Sequence, residues 1–323
     1  MDYLLIIAGL ALLFVGGEGL VRGAVSIAQR LGLSTVLIGA VIVGFGTSTP
    51  ELVVSVKAAL DGQTEIALGN IVGSNIANVM LIMALAALIT PLACKAAVIR
   101  RDAVVVLAAS LLLWALVPLG ILGAGAGAVM LAALLGYVVY NIRAERQEQK
   151  RQKKPTVHTQ EVEELGSSGH LSPGRAVIYC VISLAALMVG ADWLVTGATT
   201  LARGWGISEA VIGLTLVAVG TSLPELATSI VAAYRRHTDV VVGNILGSNF
   251  YNILGILGVT GLLSPIPMTG QIATQDIPVM VAVAVLTALV VFGLGRISRT
   301  TGVVALVLYG AYMVWLFGQG SIA

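Results

Sequence analysis

The chain contains one nine-residue stretch twice, first as Val43-Gly44-Phe45-Gly46-Thr47-Ser48-Thr49-Pro50-Glu51 and again as Val217-Ala218-Val219-Gly220-Thr221-Ser222-Leu223-Pro224-Glu225. Each copy places a glutamate inside an otherwise apolar segment, directly after a proline and close to two hydroxyl side chains. The repetition predicts that the two stretches face each other and together form one polar site.

The composition places these stretches in a membrane. Of the 323 residues, 58% are hydrophobic and only 11% are charged, with a mean hydropathy of +0.98. Soluble domains are about 45–50% apolar and about 25% charged. A soluble enzyme is therefore excluded, and the lipid bilayer is the expected surroundings of most of the chain.

A membrane-spanning helix needs about 20 mostly apolar residues, and on that basis the sequence predicts an all-α, polytopic membrane protein with ten transmembrane helices. The predicted helices are 3–28, 34–60, 65–90, 101–118, 122–142, 174–201, 208–234, 239–263, 276–294 and 299–318. Residues 143–173 form the one long polar stretch, which we interpret as a linker of mixed charge that is flexible or partly helical at its start. The linker divides the chain into one five-helix repeat over 1–142 and another over 174–323.

A constant offset of 174 residues relates the two halves. It joins Glu51 to Glu225, and between 16–80 and 190–254 it pairs 28 identical residues out of 65 without a gap. Because the identities include glycine, proline, asparagine and glutamate, chance similarity of apolar helices does not explain them. The chain is an internal duplication.

The number of helices in each half decides how the two copies are oriented. Five is odd, so the second half enters the membrane from the opposite side, and the repeats must be inverted. Secondary transporters share this architecture, with the substrate site at the midplane where the repeats meet. Lysine and arginine are concentrated on one side of the predicted topology, with Lys57 and Arg203 as the main exceptions. By the positive-inside rule, both termini are outside and the linker is cytoplasmic, and the compact linker favours the inner, plasma membrane of a prokaryote.

The two matched glutamates, Glu51 and Glu225, carry the functional prediction. A carboxylate at the centre of a membrane helix costs about 2.5–3.5 kcal/mol on insertion scales, and no lysine or arginine lies at a similar depth in the same predicted helices. The prolines that precede them free backbone carbonyls four residues earlier, and such carbonyls are tolerated at membrane depth only where they line a cavity. The neighbouring hydroxyls of Thr47, Ser48, Thr221 and Ser222 either line the same cavity or bond back to their own helices.

A second motif repeats with the same offset, as Gly69-Asn70-Ile71-Val72-Gly73-Ser74-Asn75-Ile76-Ala77-Asn78 and Gly243-Asn244-Ile245-Leu246-Gly247-Ser248-Asn249-Phe250-Tyr251-Asn252. Ser74 and Asn78 are four residues apart and share one helix face, as do Ser248 and Asn252. The remaining asparagines, Asn70, Asn75, Asn244 and Asn249, are predicted to break the helices or to bond between them.

The combined ligand set consists of carboxylate, hydroxyl, amide and carbonyl oxygens, without cysteine or histidine. These hard ligands suit Ca²⁺, which takes six to eight oxygens, and disfavour Zn²⁺ or Cu⁺. Na⁺ is a hard cation of similar size, and Mg²⁺ fits less well because it loses water reluctantly. The acids Glu18 and Asp192 also match under the offset. They could line the access path, pair with Arg22 or a helix end, or join the site.

At these motifs the chain resembles the cation/Ca²⁺ exchanger superfamily, whose repeats carry Gly-Thr-Ser-x-Pro-Glu followed by Gly-Ser-Asn-x-x-Asn/Asp. Both motifs stand here in full, at 46–51 with 73–78 and at 220–225 with 247–252. The resemblance covers nearly the whole chain and implies antiport by alternating access. It implies that the ion ligands are Glu51, Glu225, Ser48, Ser222, Ser74, Ser248, Asn78, Asn252, and the backbone carbonyls of Thr47, Thr221, Gly44 and Ala218. Some relatives, including K⁺-dependent ones, have aspartate where this chain has Asn252, so we expect no K⁺ requirement.

The sequence therefore predicts a secondary-active antiporter that exchanges Ca²⁺ for Na⁺. A Ca²⁺/H⁺ antiporter is the nearest alternative, with Glu51 and Glu225 carrying protons. A cation channel is a third, against which one midplane site between inverted repeats argues. Glycine-rich nucleotide loops, P-loops and catalytic triads are missing from the sequence, so we expect no enzyme, no cofactor and no nucleic-acid binding. No obligatory protein partner is inferred.

Overall fold

The computed structural model describes residues 2–94, 96–151, 172–205 and 220–320. Eleven helices lie in these ranges, and we number them in chain order. They are α1 Asp2–Leu31, α2 Thr35–Thr47, α3 Thr49–Leu60, α4 Thr64–Ile89, α5 Ala97–Leu119, α6 Ala124–Arg151, α7 Pro173–Gly204, α8 Leu223–Tyr234, α9 Thr238–Leu263, α10 Ile272–Leu294 and α11 Arg299–Gly320.

The all-α membrane fold is confirmed. In the described ranges eight helices are long and apolar enough to cross a membrane, and a ninth span follows if α2 and α3 are counted as one broken helix. The remaining predicted helix, over 208–234, is described only from Gly220 onward. Helix α8 forms its second part. Residues 206–219, which include the predicted ligand Ala218, lie outside the described residues.

Helix ends differ from the predictions by up to several residues. Helix α10 begins at Ile272 rather than at 276, and α6 continues to Arg151 instead of ending at 142. The extra turns of α6 include Glu145 and Arg146, charged residues that a span prediction based on hydropathy excludes. Residues 152–171, most of the predicted linker, lie outside the described part of the chain, and the division into domains at 142 and 174 stays a prediction.

The chain breaks at the proline of the first repeated stretch. Helices α2 and α3 meet at Ser48 with a bend of 44°. Pro50 lies in the first turn of α3, where its missing N–H costs no helical hydrogen bond. Pro224 occupies the same place in α8. Each proline therefore starts a helix within the membrane and places the glutamate that follows it in that helix's first turn.

Helices α4 and α9 run through their asparagine motifs without a break. The predicted helix-breaking role of these asparagines is wrong. Each helix instead contains a π-helical segment, over Asn78–Met83 in α4 and Tyr251–Ile256 in α9. Such one-turn π-helical segments are frequent at functional sites. They lie at nearly matching positions of the two repeats and each includes the predicted ligand, Asn78 or Asn252.

Two short antiparallel strand pairs join loops of opposite halves. Strand β1 (Leu92–Ala93) pairs with β4 (Arg296–Ile297), and β2 (Ile121–Leu122) pairs with β3 (Ile266–Pro267). The offset of 174 carries Leu92 onto Ile266 and Leu122 onto Arg296. One pair is thus the inverted image of the other, which agrees with the predicted pseudo-two-fold relation.

Glycines set the closest contacts between helices. Helix α1 lies antiparallel to α7, and a Cβ atom at Gly9 would come within 2.7 Å of the carbonyl oxygen of Gly190. Helix α9 packs as closely against α2, where a Cβ at Gly44 would lie 2.9 Å from the carbonyl oxygen of Asn244. Small residues that allow such approach are typical of membrane helix interfaces. The result is a pair of long helices, α1 and α7, lying against a bundle in which α9 is the most buried span.

Candidate cation-binding site

Glu51 and Glu225 occupy the first turns of α3 and α8. Their side chains are 1% and 0% exposed, respectively. The free N–H groups at the start of a helix carry a partial positive charge, which favours a carboxylate there. In the described part of the chain no ion pair joins either glutamate to a basic residue. Two negative groups are therefore buried with only dipoles to offset them.

The serines that precede the prolines bond across the two halves. Ser48 donates its hydroxyl to Oε1 of Glu225 at 2.7 Å, and Ser222 donates to Oε1 of Glu51 at 3.0 Å. Each bond runs from one repeat to the glutamate of the other, and the offset of 174 exchanges the two bonds. The structure thus brings both repeated stretches together at one point between the halves.

Several buried oxygens of the predicted ligands have no hydrogen-bond partner among the described residues. They are Oε2 of Glu51, Oε2 of Glu225, and the amide oxygens of Asn78 and Asn252. Leaving such an atom unpaired costs about 1–3 kcal/mol, and more where the group is charged. Carboxylate and amide oxygens of this kind fit a hard cation such as Ca²⁺ or Na⁺.

The second motif closes the site from α4 and α9. Ser222 donates to the hydroxyl of Ser74 at 3.4 Å, and Ser248 donates to the carbonyl oxygen of Gly44 at 3.2 Å. Asn78 donates to the amide oxygen of Asn249 at 3.0 Å. The predicted ligands Ser74, Ser248, Asn78 and Asn252 are all buried. These contacts join α4 and α9 to each other and to the two repeated stretches that contain the glutamates.

The threonine hydroxyls also have hydrogen-bond partners other than the glutamates. Thr47 donates back to the carbonyl oxygen of Val43 at 3.0 Å, as a lone hydroxyl in a membrane helix usually does. It also lies 3.3 Å from the amide oxygen of Asn244, and Thr221 donates to Asn70 at 3.4 Å. The role that the resemblance assigns to Thr47 and Thr221 uses their backbone carbonyls and stays a prediction.

Asn70 and Asn244 hold the glutamate backbones in place. Asn70 donates to the carbonyl oxygen of Glu51 at 3.3 Å and to the hydroxyl of Ser55 at 2.9 Å. Asn244 bonds in the same way to Glu225 and Ser229, at 3.5 and 2.9 Å. Their predicted role as interhelical hydrogen-bond partners agrees with these contacts.

Glu18 is not joined to the site glutamates. Its carboxylate forms ion pairs with Arg22, at 2.6 Å, and with Arg235, at 2.8 Å. Of the roles open to it in the sequence, pairing with Arg22 and a helix end is the one found. The matching acid, Asp192, is exposed on α7.

A second matched pair of acids lies outside the site and was not predicted. Asp102 on α5 accepts a hydrogen bond from Tyr137 at 2.5 Å, and Asp276 on α10 accepts one from Tyr312 at 2.7 Å. The offset of 174 also relates Asp102 to Asp276, and this is the signal that could have found them. Tyr137 also packs edge-on against Phe250 with ring centroids 5.4 Å apart, next to the motif of α9.

Comparisons with known proteins cover both halves. The chain matches the sequence model of the family described as sodium/calcium exchanger protein over residues 1–143 and 175–318. It is 33% identical to sodium/calcium exchanger MaX1 of Methanosarcina acetivorans, over 98% of this chain and 99% of that protein. It is 34% identical to inner membrane protein YrbG of Escherichia coli K12, over 97% and 94%. Among solved structures it is similar to the sodium-calcium exchanger NCX_Mj, with a TM-score of 0.82 and 29% identity over 97% of each chain.

Proposed function

Because this chain belongs to the sodium/calcium exchanger protein family, we propose that it exchanges Ca²⁺ for Na⁺ across the membrane by alternating access. The chain is a multi-pass membrane antiporter of that family and not an enzyme. The observation that carries the choice of site is the crossed pair of bonds from Ser48 to Glu225 and from Ser222 to Glu51. These bonds place two carboxylates at one point between inverted halves, where a transported ion meets both repeats.

The charge of the site supports coupled exchange. Two ionised glutamates give a charge of about −2, which one Ca²⁺ neutralises, as do several Na⁺ with partial protonation. An empty site keeps bare carboxylates away from water, and that state is costly within a membrane. The protein therefore changes between its inward-open and outward-open conformations more readily when an ion is bound than when the site is empty. Because each return then needs a bound ion, transport becomes an exchange.

The proposed orientation follows from the basic residues. We place both termini outside and the linker in the cytoplasm, in the inner membrane of a prokaryote. One bacterial relative is named an inner membrane protein, which supports this location. The partners in this proposal are the transported ions and the bilayer, with no obligatory protein partner.

Exchange of Ca²⁺ for H⁺ is the second candidate. It is favoured by the unpaired Oε2 atoms of Glu51 and Glu225, which could each hold a proton while Oε1 accepts the serine hydroxyl. In that case the glutamates would carry protons and the site would need no bound Na⁺.

Uptake of ⁴⁵Ca²⁺ into proteoliposomes separates the two candidates. We expect an outward Na⁺ gradient at equal pH to drive uptake at least about tenfold above the level without a gradient, since binding of Ca²⁺ and Na⁺ to one charged site is mutually exclusive. A proton gradient without Na⁺ should give little uptake. The reverse result would establish H⁺ as the counter-ion, and uptake that needs neither gradient would identify a channel.

Transport should not require K⁺. Asn252 contributes an amide where K⁺-dependent relatives have a carboxylate, so the site lacks a third negative charge. Replacing K⁺ with choline on both sides should leave Na⁺-driven uptake unchanged within about 20%, which is taken as the precision of the uptake assay. A loss of uptake in choline would contradict the prediction, and an Asn252→Asp variant measured in parallel tests whether an added carboxylate creates dependence on K⁺.

A further inference from the structure

Glu18 joins α1 to the end of α8 through a bidentate ion pair with Arg235. Arg235 donates from Nε to Oε2 of Glu18 at 3.0 Å and from Nη2 to Oε1 at 2.8 Å. Arg22, one turn along α1, donates to Oε1 at 2.6 Å. Bidentate arginine–carboxylate pairs are stronger and more directional than single contacts. The Glu18 side chain is 17% exposed, so the pair is partly shielded from water.

In the described part of the chain, the ion pairs of Glu18 are those with Arg22 and Arg235. His237 follows Arg235 in the turn between α8 and α9. Burial, and then the nearby charge of Arg235, lower the pKa of this imidazole, which is therefore neutral at pH 7. At this contact the carboxylate of Glu18 binds two guanidinium groups, those of Arg22 and Arg235.

Helices α1 and α7 are in close backbone contact along their length. A Cβ at Gly16 would lie 3.0 Å from the carbonyl oxygen of Ser183, and one at Gly23 would lie 3.1 Å from that of Ala176. Gly17, on the neighbouring face of α1, lies close to α8, where a Cβ would come within 3.3 Å of the carbonyl oxygen of Ala227. Alternating access in inverted-repeat transporters moves one bundle against the other around a fixed site. The contact between α1 and α8, next to the Glu18–Arg235 pair, is thus a boundary across which such movement occurs.

The repeat symmetry reveals that this ion pair has no equivalent on the opposite face. Under the offset of 174, Glu18 corresponds to Asp192, Arg22 to Thr196, and Arg235 to Asp61. When inverted repeats exchange conformations, the contact that Glu18 makes in one state is made by Asp192 in the other. There the acid would meet a second acid, and like charges repel.

We propose that the Glu18–Arg235 pair positions α1 and α7 so that the face of the membrane at which α8 ends is held closed, with no matching pair to close the other face. The proposal rests on the alternating-access antiport proposed above. It makes the two conformations unequal in energy. The difference comes from Glu18, Arg22 and Arg235 on one face and from Asp192 and Asp61 on the other. In the proposed orientation the closed face is cytoplasmic.

A distance measurement tests this without transport. Nitroxide labels at Leu31, which ends α1, and at Leu294, which ends α10, report on the separation of the two bundles by pulsed electron paramagnetic resonance. Both positions are exposed. The two cysteines, Cys94 and Cys180, are buried and free and would first be replaced by alanine. The full chain is measured in lipid nanodiscs in choline buffer, so that bound ions do not select one state.

Two variants are expected to change the distances in the same direction. Glu18→Gln removes the pair, and Asp61→Arg supplies Asp192 with a partner in the other state. Each should increase the ratio of separated to closed populations at Leu31 and Leu294 by about two- to fivefold, the effect of a partly exposed ion pair. The double variant Asp61→Arg with Asp192→Asn is the matched control and should lose the increase due to the new pair.

A merely structural role predicts a different outcome. Unchanged distance distributions in both Glu18→Gln and Asp61→Arg would overturn the proposal, even if Glu18→Gln lowers uptake. That result would leave the proposed function standing as long as the site glutamates prove essential for uptake. Conversely, shifted distances together with normal uptake in the glutamate variants would keep the positioning role and reject the proposed site.

Discussion

Replacing Glu51 with glutamine is expected to reduce Na⁺-driven Ca²⁺ uptake at least about 100-fold, and Glu225→Gln should do the same. The amide keeps the shape of the side chain and one oxygen that can accept the hydrogen bond from Ser222. It removes one unit of negative charge from a fully buried site. At 4 Å and an effective dielectric constant of 20, each pair of unit charges contributes about 4 kcal/mol. A 100-fold loss needs only about 2.7 kcal/mol, so the expected effect leaves room for compensation.

The measurement is initial ⁴⁵Ca²⁺ uptake in proteoliposomes at matched protein density. Glu65→Gln serves as the control. Glu65 is an exposed glutamate in the first turn of α4, so this variant should transport Ca²⁺ normally. Normal uptake by both site variants would show that the transported ion does not bind at the crossed glutamates. Loss in only one variant would contradict the equal roles that the repeat symmetry assigns to them.

The sequence was sufficient to identify the two halves and their meeting point. An offset shared by Thr47, Pro50, Glu51 and their counterparts, together with an odd number of spans, led to inverted repeats and to one site between them. These features depend on residue identity and spacing, which a sequence contains in full. The burial of Glu51 and Glu225 and their approach across the two halves agree with that prediction.

Which hydroxyl bonds to which acceptor could not be predicted. Ser48 reaches the glutamate of the other repeat, whereas its neighbour Thr47 bonds back to Val43. The two residues are adjacent in the same apolar segment and point in different directions at the bend between α2 and α3. A bend angle depends on the packing of α2 against α9, which brings together residues about 200 positions apart.

Two other features, the aspartate–tyrosine hydrogen bonds and the short strand pairs, were not predicted because the sequence contains little sign of them. Asp102 and Asp276 match under the offset, but Tyr137 and Tyr312 are 175 residues apart, so the hydrogen-bonded pairs do not align. The two-residue strands are too short for any alternating pattern to be recognised. Their pairing becomes visible only when the inverted halves are placed together.

Replacing Gly247 with alanine is expected to give a large loss of stability, because the added methyl group would fall on the backbone of α2. A Cβ there would lie within 2.5 Å of the carbonyl oxygen of Ala40, and backbone cannot rotate away as a side chain can. Helices α9 and α2 would have to separate along the contact that also includes Gly44. Overpacking of this kind costs about 3 kcal/mol, which for a chain of 323 residues corresponds to a fall in Tm of about 4 °C. The separation would also shift Ser48 from Glu225, so Ca²⁺ uptake should fall along with stability.

Thermal unfolding in detergent, followed by fluorescence-detected size exclusion, measures this change. The control is Gly310→Ala, in the exposed middle of α11, where a Cβ would meet no described atom within 4 Å. Alanine favours a helix by about 1 kcal/mol over glycine, so this control should unfold at the same temperature or slightly higher. An equal Tm for Gly247→Ala and Gly310→Ala would mean that α9 and α2 are not held in contact by Gly247. Because Ser48 directly follows α2 and Ser248 lies on α9, that outcome would also mean that this helix contact does not set the position of Ser48.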